Sequence, residues 1–93
     1  MLVYLVSGQP QSGKLVTAER LVSSARFIRI RELPQARVQD KFVIVENVDL
    51  PEIYKVANFI NAQSDDAVIA LTTANPELGH QLNDLVATEL IEI

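Results

Sequence analysis

Three short stretches of this chain are built of apolar residues: Leu2 to Ser7, where only the last residue is polar, Phe42 to Val45, and Ala67 to Leu71, which runs on into Thr72 and Thr73. A strand with one wet face alternates apolar and polar residues. An unbroken run of four to six suits a strand covered on both faces, as in a parallel sheet. Each run is followed by apolar residues at helical spacing: Leu15, Ala18, Leu21, Val22 and Ala25 over residues 14–25; Ile53, Val56, Ala57 and Ile60, ending near Gln63; then Leu78, Leu82, Leu85 and Val86. Asp49-Leu50-Pro51-Glu52 predicts a helix start with a capping box, and Asn75-Pro76-Glu77 a third helix start. Phe27-Ile28-Arg29-Ile30 predicts a brief strand at a sheet edge, where arginines discourage unwanted pairing. Leu90–Ile93 predicts a last strand. Glu32 to Lys41 is polar, contains Pro34 and reads as a loop, and Ser64-Asp65-Asp66 reads as a turn. The order β-α-β-β-α-β-α-β predicts an α/β three-layer sandwich with a mostly parallel five-stranded sheet and helices on both faces. With no repeat and no linker, residues 1–93 read as a single domain.

Composition narrows the chemistry. At 93 residues and 48% hydrophobic, the chain is too apolar for a disordered tail and long enough for one modest core. It has no Cys, which excludes disulfides, Cys-ligated zinc and thiol nucleophiles. His80 is its one histidine, which excludes a His-rich metal site; on a helical segment it reads as a residue without chemistry. No apolar run approaches the ~20 residues of a membrane span, and the opening MLVYLVSG lacks the basic start of a signal peptide. The expectation is a soluble, cytoplasmic protein. The net charge of -4 argues against a strongly basic nucleic-acid module. The charge is divided unevenly, however. Residues 1–46 hold seven Lys and Arg against four Asp and Glu, whereas residues 47–93 hold one against eight. Arg26, Arg29, Arg31 and Arg37 are therefore candidates for contact with a nucleic-acid backbone or an acidic partner. Only Phe27 interleaves with them, which is weak support for single-strand stacking.

The segment Gly8-Gln9-Pro10-Gln11-Ser12-Gly13-Lys14-Leu15 matches G-x-x-x-x-G-K in its first seven positions, between an apolar strand and a helix. Glycines let the backbone curl until successive N–H groups face an anion, and the helix N-terminus adds partial positive charge. Lys14 supplies an ammonium for terminal phosphates. The eighth position normally carries a Ser or Thr hydroxyl for Mg²⁺; Leu15 has no oxygen to offer a hard cation. Phe42 to Val45 leads into Glu46 and Asn47, in the manner of a Walker B strand. There Glu46 stands where an Asp usually holds Mg²⁺ through water, and Asn47 where a Glu activates the attacking water. An amide cannot accept that proton at neutral pH. Thr72 and Thr73, ending the third apolar run, stand where a polar residue senses the γ-phosphate.

On these residues the chain resembles a miniature P-loop NTPase of the AAA+ type. YLVSGQPQSGK, IRELPQ, KFVIVENVDL, KVANFI and AVIALTTANPEL resemble, in order, the non-hydrolysing delta-prime subunit of DNA polymerase III clamp loaders. The opening MLVYLVSGQPQSGK is similar also to the Zot family of filamentous-phage assembly ATPases. The resemblance implies the strand order 5-1-4-3-2 and a nucleotide site at residues 8–15 for ATP or another nucleotide. The departures at Leu15 and Asn47 put both hydrolysis and Mg²⁺ in doubt. Loss of a metal ligand and a general base together lowers rates on the order of 10³-fold or more. The expectation is a degenerate, non-hydrolysing domain that acts as an interaction or regulatory module for an ATPase or replication assembly, or pairs with its own copies. The alternatives are a slow ATPase or nucleotide switch active only in an oligomer, and a phage-encoded nucleic-acid-binding factor.

Overall fold

The computed structural model describes residues 1–35 and 40–93. Its strands are β1 (Leu2–Ser7), β2 (Arg26–Ile28), β3 (Phe42–Val45), β4 (Val68–Thr73) and β5 (Glu89–Glu92), and its helices are α1 (Lys14–Leu21), α2 (Ile53–Asn61) and α3 (Pro76–Leu85). The strands form one sheet in the order β2-β3-β4-β1-β5. Every neighbouring pair is parallel, with Leu5 beside both Leu71 and Leu90, and Ile44 beside both Ala70 and Phe27. This is an α/β sandwich with the expected strand order, and its sheet is parallel throughout.

The layers follow from the direction of travel across the sheet. From β1 to β2 the chain moves toward one edge; from β3 through β4 to β5 it moves back. Strand–helix–strand crossovers keep one hand, so reversing direction puts the helices on the opposite face. Accordingly, α1 lays Ala18 and Val22 on Val6, Ile44 and Ala70. On the other face, Val56 and Ile60 of α2 and Leu78 and Leu82 of α3 cover Val3, Leu5, Val43, Val45, Ile69 and Leu71. β1, β3 and β4 thus each feed two cores, which is why their sequences show no alternation. A fully buried Leu or Ile contributes roughly 1.5–3 kcal/mol, and Ile44, Ile69 and Leu71 are all 0% exposed.

Both expected helix starts are present. Glu52 accepts from the Asp49 amide at 3.0 Å in a capping box ahead of α2, which begins with a 3₁₀ turn over Leu50–Glu52. Asn75 accepts from the Glu77 amide at 3.0 Å. Several boundaries differ from expectation; β5 begins one residue earlier, at Glu89, and α2 ends at Asn61. α1 stops at Leu21, because Val22 already leaves the helical region (φ −128°, ψ 83°), and Ser24 follows with a left-handed φ of 57°. β2 stops at Ile28. Residues Ile30–Gln35, expected as strand end and loop, form a 3₁₀ helix closed by the Glu32 amide on the Arg29 carbonyl (2.9 Å) and anchored by buried Leu33. Among the described residues, no helix is long and apolar enough to cross a membrane.

Candidate functional site

β1 and β4 lie side by side, yet the chain leaves them toward opposite faces: β1 into α1, β4 into α3. A crevice must open between their carboxyl ends, and in open parallel sheets this is where ligands bind. Residues 8–13 form its rim. The Gly8 amide donates to the Thr73 carbonyl (3.2 Å), carrying the β1–β4 ladder one step further. Next comes a tight turn, the Ser12 amide on the Gln9 carbonyl (3.1 Å). Gln11 (φ 64°) and Gly13 (φ 89°) are left-handed, and Gly13 caps α1 without a side-chain hydrogen bond. A Cβ on Gly8 would stand 2.6 Å from Ser12 Oγ, so glycine here lets the loop fold back on its own stem.

The loop presents donors. Among the described residues, the amides of Gln11, Gly13, Lys14, Leu15 and Val16 find no acceptor, and these residues line an open cleft of about 410 Å³. Lys14 Nζ is tethered beside them by the carbonyls of Gly8 (3.0 Å) and Gln9 (3.4 Å). Pro10, Glu46, Asn47, Thr72 and Ala74 complete the wall. The structure therefore brings together Pro10, Gln11, Gly13, Lys14, Leu15, Glu46, Asn47 and Thr72 in one place. Gly8 and Gln9 lie behind them, on a second cleft shared with Glu92 and Ile93. Ser12 Oγ is buried without a partner among the described residues.

The two threonines divide by pleat. Thr72 belongs to the α1 face and reaches the cleft, where its Oγ accepts from the Asn47 amide (3.0 Å). Thr73 points to the other face and is fully buried. Its Oγ donates to the Val48 carbonyl (2.6 Å) and accepts from the Asn75 amide (3.0 Å). Its hydroxyl is spent on joining the β3 and β4 exits, and it does not line the cleft as a sensor would. Asn47 has a φ of 56°, a conformation Asn tolerates better than most residues.

The arginines stand apart. β2 is three strands from β1, about 14 Å at ordinary strand spacing. Arg26 pairs with Asp40 at 3.2 Å in the open, Arg29 and Arg31 are exposed, and Arg37 lies outside the described residues. Among the described residues the cleft wall carries one carboxylate, Glu46, and where a hydroxyl for Mg²⁺ is usual it has Leu15. Sequence reasoning passed over Val16 and Ala74, which carry no chemical group that a motif could flag. Comparison with protein-family models, curated proteins and solved structures finds no match to this chain.

Proposed function

We propose that this protein is a degenerate P-loop domain that binds the phosphate of a nucleotide without hydrolysing it, and serves as an interaction or regulatory module for an ATPase or DNA-replication assembly. The observation that carries the reading is the run of acceptor-free amides from Gly13 to Val16 beside the tethered Lys14 ammonium, at the crevice where a parallel sheet binds ligands. In the same wall, Leu15 offers no metal ligand and Asn47 no base. Loop residues would hold the phosphate through backbone N–H groups, Lys14 would neutralise it, and the nucleotide itself would supply no reaction. The interaction role rests on this loss: a site that binds and does not cleave can report occupancy to a partner.

Thermal unfolding with ADP and ATP tests the reading, since a ligand held only by the native state raises the midpoint. The expected shift with ADP persists in EDTA, and vanishes in Lys14→Ala. The slow-ATPase alternative draws on Glu46, which lines the cleft. Metal-dependent phosphate release by the wild type above that of Lys14→Ala would establish it instead.

A further inference from the structure

The charge of the cleft limits what it can hold. Its donors include the loop amides, Lys14 Nζ and a buried hydroxyl. Thr72 is only 3% exposed and lines the cleft, and its Oγ is used as an acceptor from Asn47. Among the described residues the Thr72 hydroxyl proton has no acceptor, so a buried donor is left facing the ligand space. Against these stands the half-buried carboxylate of Glu46 in the same wall. Among the described residues, Lys14 is the one cationic side chain lining the cleft. One cation and a helix N-terminus, worth about half a charge, face one anion. With no hydroxyl at Leu15 for a divalent cation, the described residues of the cleft set only Lys14 and the helix N-terminus against a chain of phosphates.

We propose that the cleft is selective for phosphate esters of low charge, a nucleoside mono- or diphosphate free of metal, and that Glu46 is the specificity-determining residue that turns the triphosphate away. This deepens the reading above and rests on it. Each added phosphate brings further negative charge toward a fixed carboxylate, and a charge pair within several ångströms is worth a factor of several even in a wet cleft.

The experiment is a calorimetric titration of the protein with AMP, ADP and ATP in EDTA, at low and at raised salt. The wild type is expected to bind ATP about tenfold more weakly than AMP or ADP, the gap narrowing as salt screens it. Glu46→Gln, a neutral side chain of the same shape, should close or invert the gap by raising ATP affinity. Thr72→Val should weaken all three nucleotides alike, and Lys14→Ala should abolish binding. Circular dichroism confirms that each variant is folded. ATP binding tightest to the wild type in EDTA, or an unchanged ratio in Glu46→Gln, overturns the selectivity and leaves the phosphate site standing. A folded wild type that binds none of the three overturns both.

Discussion

Thr72 and Thr73 carry the same side chain one residue apart, and the structure gives them different work. The Thr73 hydroxyl is buried with two partners, the Val48 carbonyl and the Asn75 amide. Valine fills the same space and leaves both groups orphaned, which costs about 1–3 kcal/mol per unsatisfied polar group. Thr73→Val is therefore expected to lower the urea midpoint clearly. Thr72→Val, which strands only the half-buried Asn47 amide, should lower it less and act mainly on nucleotide binding. Equal midpoints for the two variants would contradict this division. The 8–14 loop was legible because Gly8, Gly13 and Lys14 are chemically distinctive and their spacing matters. The division of the threonines was not legible. Ile69, Ala70 and Leu71 are all buried, so no alternation tells which face each residue takes.

Among the elements, the turn joining α2 to β4 does more than reverse the chain. Ser64 Oγ donates to Asp66 at 2.8 Å, Lys41 Nζ lies 3.7 Å from the same carboxylate, and the Val68 amide donates to the Lys41 carbonyl at 2.8 Å. The turn thereby ties the start of β4 to the start of β3. The Ser64 hydroxyl first, and the Lys41 charge second, hold the Asp66 pKa below its ordinary value. A lowered carboxylate pKa means that the folded state binds fewer protons than the unfolded one. Its contribution is complete above the ordinary carboxylate range and is lost as pH falls through the folded value. Ser64→Ala should raise the Asp66 pKa toward ordinary, as read by NMR titration of that carboxyl; an unmoved titration would reassign the shift to Lys41. The turn and the starts of α2 and α3 were readable from Ser, Asp, Asn and Pro at their positions. The 3₁₀ helix at Ile30–Gln35 was not, because its hold on the fold is tertiary: one buried leucine, Leu33, joins it to the core beneath α2.

At the scale of the molecule, two cores share one sheet. Leu71 of β4 lies in the larger, between the sheet and α2 and α3, and is 0% exposed. Leu71→Ala leaves a cavity there and is expected to cost about 2–5 kcal/mol, a large part of the 5–15 kcal/mol typical of a small domain. Denaturant unfolding followed by circular dichroism checks this. A loss below about 1 kcal/mol would mean that the core collapses around the gap. β4 is the central strand, so both faces should feel the change, and unfolding should remain a single transition.

Hydrophobic runs and helical stripes by themselves determined which segments are strand and helix, and a few capping residues determined where helices begin. Those choices are local, made within a turn or a pair of neighbours. The spacing of Gly8, Gly13 and Lys14 likewise marked the loop before any fold was known. Tertiary structure alone decided that Thr72 meets that loop while Thr73 turns away, and that Arg26 spends its charge on Asp40. These are matters of register and strand order, set by contacts between residues far apart in the chain, where a single step along a strand exchanges one face for the other.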